Sequence, residues 1–134
     1  MQIQPYVFFD GRAEEAADFY RAALGAEVAM LLRFKDSPEP TGMPPGNENK
    51  VMHMALRIGQ TAILASDGRC GGQANFQGFA LSLTVPNAAE ADRCFTALAA
   101  EGQVQMPLAQ TFFSPRFGMV ADKFGVSWMI YVTP

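Results

Sequence analysis

Apolar and polar residues recur with two periods along the chain, that of a strand and that of a helix. In the first half these periods predict a strand, a helix and three further strands. Residues 2–10 alternate and are rich in aromatic side chains, which is typical of a strand. From Arg12 to Leu24 the apolar residues recur at helical spacing, and Gly25 is expected to end that helix. Alternation then returns in three segments, at 27–34, 50–58 and 61–66.

The second half repeats this order. An alternating strand at 78–85 precedes a helix opened by Asn87, with Glu90 three residues later in the pattern of a capping box. Gly102 is expected to end this helix. The remaining predicted strands cover 104–107, 117–122 and 127–133.

The halves also match residue by residue, which favours a duplicated unit. When the two halves are aligned with one constant difference in residue number, the identical pairs are Glu14 with Glu90, Phe19 with Phe95, Ala23 with Ala99, Val28 with Val104 and Met30 with Met106. At a second offset Gly59 meets Gly125 in a turn. We therefore predict one α+β domain over 1–134, with module one at about 1–74 and module two at about 75–134.

Residues 35–49 form a long loop that contains four prolines and two glycines. Loops of this length are often functional. We consider two interpretations, a flap that closes over a binding cleft and an insertion without a role in binding.

Composition limits the classes of function. The chain has 134 residues, 49% of them hydrophobic, which is enough for a core without disulfides or metals. Its net charge is −3 and its basic residues are scattered, which argues against nucleic acid and anionic membranes as partners. It has no apolar run of about 20 residues and no basic, cleavable start, so we expect a cytoplasmic protein. Cys94 lies on a helical apolar stripe and Cys70 in a Gly-rich loop, which does not indicate a disulfide.

Several local strings resemble the PhnB-like branch of the vicinal oxygen chelate superfamily, which includes glyoxalases, bleomycin-resistance proteins and dioxygenases. The most specific is Asp122-Lys123-Phe124-Gly125-Val126-Ser127-Trp128-Met129. The others are Phe8-Phe9-Asp10-Gly11, Ala17-Asp18-Phe19-Tyr20, Val51-Met52-His53-Met54 and Arg116-Phe117-Gly118-Met119-Val120. The resemblance covers nearly the whole chain and is weakest at 35–49.

This resemblance implies two β-α-β-β-β modules whose curved mixed sheets surround a cleft, with the helices on the outer faces. It also implies a two-fold homodimer. Alternation in the last strand then directs Trp128, Ile130 and Val132 outward under a helix. Ser127, Met129 and Tyr131 would face the cleft.

Metal-dependent members of the superfamily bind their ion through one His or Glu from each of four strands. The positions that match in this chain are Pro5, Leu64, Ala80 and Met129. None of them offers the carboxylate, imidazole or thiolate that zinc, iron or nickel requires. We therefore expect no metal site and no cofactor. A methyltransferase description attached to parts of this branch meets a similar difficulty, because no Gly-rich strand-to-helix loop suited to a nucleotide-like cofactor is present.

A few polar residues are candidates for chemistry. His53, the single histidine, alternates away from a bulky apolar face, and is either a general base in the cleft or a half-buried strand residue. Arg116 is either an anchor for a carboxylate or phosphate, with Phe113 stacking on a flat ligand, or a partner in a salt bridge, with Asp122 as the candidate. Asp10 and Asp67 are either buried bases or ordinary turn and cap residues.

Three hypotheses follow. The first is a metal-free protein that binds a small, partly apolar organic molecule, with an anion as one alternative, through Phe9, His53, Phe113, Arg116, Met129 and Tyr131. The second is an enzyme that uses His53 as a general base or holds an atypical metal. The third is a dimeric interaction or structural module. The sequence does not identify the ligand.

Overall fold

Two units of matching construction follow one another along the chain. The computed structural model describes all residues from Met1 to Pro134. Its contacts divide the chain into unit one, Met1–Ala74, and unit two, Asn75–Pro134. The predicted α+β class is confirmed in both units.

Unit one contains one helix and a four-stranded mixed sheet. Its elements in chain order are β1 (Tyr6–Phe8), α1 (Ala13–Leu24), β2 (Glu27–Arg33), a 3₁₀ turn (Phe34–Asp36), β3 (Val51–Ile58) and β4 (Thr61–Ser66). The strand order is β1-β4-β3-β2, in which β1 runs parallel to β4 and the other pairs are antiparallel.

Unit two has the same topology. Its elements are β5 (Leu81–Val85), α2 (Ala88–Ala99), β6 (Gln103–Ala109), β7 (Phe117–Ala121) and β8 (Ser127–Val132). The strand order is β5-β8-β7-β6, and β5 runs parallel to β8. Each unit therefore has the predicted order of strand, helix and three strands.

The core of unit one lies between α1 and one face of the sheet. The helix buries four alanines and Tyr20, and the small side chains allow it to lie close to the strands. The sheet contributes Val7, Met54 and Leu56, each almost fully buried. Burial of each large apolar side chain stabilises the fold by roughly 1.5–3 kcal/mol. The opposite side of each sheet, away from its helix, is called the open face below.

Unit two is built in the same way, with α2 packed across all four of its strands. Trp128, Ile130 and Val132 of β8 are buried, as the alternation predicted, while Met129 and Tyr131 are half-buried.

The helix ends follow the predicted signals with one exception. Gly25 ends α1 in a left-handed conformation, with φ of 70°, and Asn87 accepts a hydrogen bond from the Glu90 N–H at the start of α2. However, α2 ends at Ala99, and Gly102 lies in the turn that follows, where its N–H donates to the Ala99 carbonyl. Neither helix is long and apolar enough to span a bilayer.

Candidate functional site

The open face of unit one is largely apolar and is organised by strand register. Residues paired across neighbouring strands share a face of the sheet. One row across the four strands consists of Tyr6, Leu64, Ala55 and Met30. His53 lies next to this row, opposite Leu32 on β2, and is half-buried. The face thus presents one imidazole among apolar side chains.

Three polar side chains occupy neighbouring positions on this face. The Tyr6 hydroxyl lies 2.8 Å from Nδ1 of His53, and their rings are 5.5 Å apart. Burial raises the pKa of Tyr6, and a hydrogen bond with Ser66 opposes that rise. Ser66 is 4% exposed, and its hydroxyl oxygen accepts a hydrogen bond from the Gly68 N–H at 2.7 Å. The Tyr6, Ser66 and His53 side chains are called the tyrosine-histidine group below.

A cavity of about 450 Å³ lies at the end of unit one where β1 and β4 finish. Its lining residues are Phe8, Asp10, Phe34, Thr41, Met43, Gly68 and Arg69. Phe8 belongs to the open face, since its ring lies 5.0 Å from the ring of Tyr6. Gly68, with φ of +56°, passes close enough that an added Cβ would meet Phe8 at 3.3 Å. The loop 35–49 forms part of the wall through Thr41 and Met43.

Arg69 differs from the other arginines of the chain. The other six all pair with a carboxylate, in the pairs Arg12–Glu15, Arg21–Asp18, Arg33–Glu14, Arg57–Glu27, Arg93–Glu90 and Arg116–Asp92. Arg69 is exposed, lines the cavity and has no carboxylate partner within the protein. The cavity therefore combines apolar walls with one guanidinium that is available to an anion.

The predicted ligand residue Phe9 is a core residue instead. It is 3% exposed, and its ring lies 6.2 Å from that of Tyr20 on α1. Alternation along β1 places Val7 and Phe9 under the helix, so that Tyr6 and Phe8 occupy the open face. Phe8, and not Phe9, is therefore the aromatic residue that lines the cavity.

The structure brings together two of the predicted residues in unit two. Phe113 and Tyr131 stack with their ring centroids 6.4 Å apart and an interplanar angle of 16°. Met129 lies two residues before Tyr131 and so shares its face of β8, and cross-strand pairing places it beside Met119 and Ser82. The open face of unit two is therefore rich in flexible methionine side chains.

Arg116 forms a salt bridge with a residue of α2, Asp92. Its guanidinium donates two hydrogen bonds to Asp92 Oδ1, at 2.9 and 2.7 Å. The salt-bridge interpretation is confirmed, but its partner is Asp92. The predicted partner, Asp122, is 3% exposed and accepts hydrogen bonds from two backbone N–H groups and the Trp128 indole.

Asp67 has a structural role. Its Oδ1 accepts hydrogen bonds from the Gly11 and Ala13 N–H groups, at 3.0 and 2.7 Å, and its Oδ2 accepts one from Val51 at 2.7 Å. The carboxylate thus caps α1 and ties it to β3 and β4. Asp10 occupies a turn with φ of 49° and is half-buried at the cavity.

Two of the four positions matched to metal ligands lie immediately before a strand. Pro5 precedes β1, and the open-face residue opposite Leu64 is Tyr6. Ala80 precedes β5, and the residue opposite Met129 is Ser82. Neither the four matched positions nor these paired residues supply an imidazole, thiolate or carboxylate, and no three His, Cys, Asp or Glu side chains are grouped to hold an ion. These donors do not fit a divalent metal of the kind that the superfamily uses.

Cys70 is not an activated thiol. Burial raises its pKa, and the negative charges of Asp67 and Asp10 raise it further, against a smaller opposing effect of Lys50. A raised pKa leaves less thiolate at neutral pH.

Four residues of this site were missed from the sequence, namely Tyr6, Phe8, Ser66 and Arg69. Arg69 carried no signal, because its distinction is the lack of a partner, which only the folded structure reveals. Tyr6 could have been predicted as a residue of the open face, since it lies two residues before Phe8 and therefore points to the same side of β1.

The family model for 3-demethylubiquinone-9 3-methyltransferase matches residues 1–131 of the chain. The chain is 36% identical to the protein YjdN of Escherichia coli (strain K12), an alignment that covers 98% of this chain and 95% of YjdN.

Solved structures agree with this match. Protein PA1353 from Pseudomonas aeruginosa is 41% identical, covers 99% of this chain and 98% of its own, and superposes with a TM-score of 0.86. A PhnB protein from Bacillus cereus is 29% identical over 99% of this chain and 100% of its own, with a TM-score of 0.82. A glyoxalase/bleomycin resistance protein/dioxygenase family enzyme from Burkholderia phytofirmans shares the fold alone, at 14% identity and a TM-score of 0.61.

Proposed function

Because the chain belongs to the 3-demethylubiquinone-9 3-methyltransferase family, a PhnB-like group of the vicinal oxygen chelate superfamily, we propose that it binds a small, partly apolar organic anion. The proposed site is the cavity of unit one. Its volume of about 450 Å³ lies in the range of known small-molecule sites, roughly 300–1,000 Å³.

The observation that carries this proposal is that Arg69 lines the cavity and has no carboxylate partner. A guanidinium binds a carboxylate or phosphate through two parallel hydrogen bonds, and such charge-assisted bonds are stronger than neutral ones. Since every other arginine already has its carboxylate, Arg69 is the arginine left for a ligand. Phe8, Phe34 and Met43 supply the apolar walls.

Asp10 adds a second polar group to the same cavity. A carboxylate next to a bound anion is favourable only if the ligand also offers a hydrogen-bond donor. We therefore favour a ligand that carries an anionic group and, beside it, a hydroxyl or amino group. We derive no methyl transfer and no metal-dependent step, because the residues present offer neither a nucleotide-like cofactor loop nor a set of metal ligands.

The test compares benzoate with benzamide, which has nearly the same shape and no charge. Binding is followed by chemical shifts of ¹⁵N-labelled protein during titration. We expect benzoate to bind more tightly than benzamide, and Arg69→Gln to weaken benzoate binding about tenfold, or ~1.4 kcal/mol, while benzamide binding is unchanged.

The matched control is Arg21→Gln, which removes an exposed arginine of α1 that is paired with Asp18 and lies outside the cavity. It should leave both affinities unchanged. Equal binding of benzoate and benzamide by the wild-type protein would refute the proposal, as would an equal loss in the two variants.

A further inference from the structure

Two loops of unit one meet at the end where β1 and β4 finish. Because these neighbouring strands run parallel, the residues that follow them leave the sheet at the same edge. Two hydrogen bonds join the loops, one from the Gly72 N–H to the Asp10 carbonyl at 3.1 Å and one from the Gly11 N–H to Asp67 Oδ1 at 3.0 Å. The backbone at this end of the cavity is therefore held in place by the protein itself.

Asp10 and Arg69 bring opposite charges into the cavity, one from each loop. Asp10 Oδ1 lies 3.4 Å from the point where a Cβ on Gly68 would stand, so the carboxylate is close to the residue that precedes Arg69. Since residue 68 is a glycine, the space beside this carboxylate oxygen stays open to a ligand.

Neither of these charged groups has a partner within the protein. Arg69 is the one arginine without a carboxylate, and Asp10 is the one aspartate whose side chain has no hydrogen bond or ion pair. The other five aspartates all accept hydrogen bonds, namely Asp18, Asp36, Asp67, Asp92 and Asp122. The two unpartnered charges of opposite sign thus line one cavity, and each can bind a separate group of a ligand.

We infer that the ligand of this cavity is a zwitterion of the α-amino-acid type, with its carboxylate bound by Arg69 and its ammonium by Asp10. An α-amino acid carries both charged groups on one carbon, which suits protein charges on two loops that are hydrogen-bonded to each other. Phe8, Phe34 and Met43 border the same space, so an apolar side chain suits the remaining walls. This inference rests on the proposed function, because it names the ligand class of the same cavity.

Asp10 is then a specificity-determining residue. A ligand with a carboxylate and no ammonium is repelled by the Asp10 carboxylate, and a ligand with an ammonium and no carboxylate is repelled by the Arg69 guanidinium. A zwitterion meets an opposite charge at both places. Selection therefore depends on both residues, whereas the attraction of an anion depends on Arg69 alone.

The test uses three probes of similar shape. Phenylalanine carries both charges, 3-phenylpropionate only the carboxylate and phenethylamine only the ammonium, and binding is followed by chemical shifts of ¹⁵N-labelled protein. We expect phenylalanine to bind about tenfold more tightly than either of the other two. Asp10→Asn should weaken phenylalanine binding about tenfold without weakening 3-phenylpropionate binding, while Arg69→Gln should weaken the binding of both.

Asparagine preserves the turn, because it adopts the left-handed conformation of residue 10, φ of 49°, as readily as aspartate does. The matched control is Asp18→Asn, an exposed carboxylate of α1 that is paired with Arg21 outside the cavity, and it should leave all three affinities unchanged.

Phenylalanine that binds no more tightly than 3-phenylpropionate, or an Asp10→Asn loss that is equal for these two probes, would overturn the inference. If benzoate binding still depended on Arg69, the proposed function would stand without it. If neither benzoate nor 3-phenylpropionate responded to Arg69→Gln, the proposed function and the inference would both fail.

Discussion

At the scale of single residues, Asp67 shows how one buried carboxylate organises unit one. Its two oxygens accept three backbone N–H groups, from the turn before α1, the first residue of α1 and the first residue of β3. Two of these bonds are 2.7 Å long. Asp67 thus replaces the side-chain cap that Arg12 does not provide at the start of α1.

We predict that Asp67→Ala destabilises the protein by about 3 kcal/mol or more, because it leaves buried N–H groups without an acceptor. Urea unfolding at neutral pH measures this. Asp18→Ala, on the exposed side of the same helix, is the control and should change the free energy of unfolding by less than about 0.5 kcal/mol. Similar losses in the two variants would contradict the role given to Asp67.

Residue-level predictions from the sequence succeeded where a strand has a clear apolar side and failed where both sides carry aromatics. Alternation identified Trp128, Ile130 and Val132 as core residues of β8, and they are buried while the intervening Met129 and Tyr131 are half-buried. In β1 and directly after it, the apolar and aromatic residues Tyr6, Val7, Phe8 and Phe9 are all compatible with either face, and contact with α1 decides which side each takes.

At the scale of elements, an ion pair between Glu14 of α1 and Arg33 of β2 joins the helix to the strand. Both guanidinium nitrogens of Arg33 donate to Glu14, at 2.9 and 2.7 Å. The hydrogen bond from Arg33 lowers the pKa of Glu14 below its ordinary 4.5. The unfolded chain therefore takes up this proton at a higher pH than the folded protein. The pair stabilises the fold fully above pH 4.5, and that contribution is lost as the pH falls through the lowered folded value.

Glu14→Gln should therefore reduce the free energy of unfolding at neutral pH by less than about 1 kcal/mol, since the pair is largely exposed to solvent. The difference from wild type should shrink when unfolding is measured well below pH 4.5. Glu39→Gln is the comparison, because Glu39 has no basic partner. A Glu14→Gln deficit of the same size at both pH values would contradict the linkage.

The order and type of the elements were predictable because each has a local signal, either an apolar period, a turn glycine or a cap. The first and last residues of the strands were less predictable. The aromatic segment at 2–10 forms a strand only over Tyr6–Phe8, since pairing with β4 ends where Ser66 is reached. The cavity depends on the approach of residues 41 and 43 to Phe8, which no local pattern encodes.

At the scale of the whole molecule, the two units use one plan with different side chains on their open faces. Unit one has Tyr6, Leu64, Ala55 and Met30 in the row where unit two has Ser82, Met129, Met119 and Met106. The tyrosine-histidine group therefore belongs to unit one only. The same topology thus carries different side chains on the two open faces, and the candidate site lies on that of unit one.

Large apolar side chains on the outer strands lead to the last prediction, a homodimer. Met30 on β2 and Met106 on β6 are 42% and 45% exposed, and such apolar surface is often covered by a partner. We expect native mass spectrometry at low micromolar concentration to report a dimer. Met30→Glu or Met106→Glu should weaken the dimer about tenfold or more, because the predicted interface would then bury a charge in place of a thioether. Ala22→Glu, on the exposed side of α1, should leave the dimer intact, and a wild-type spectrum of monomer alone would refute the prediction.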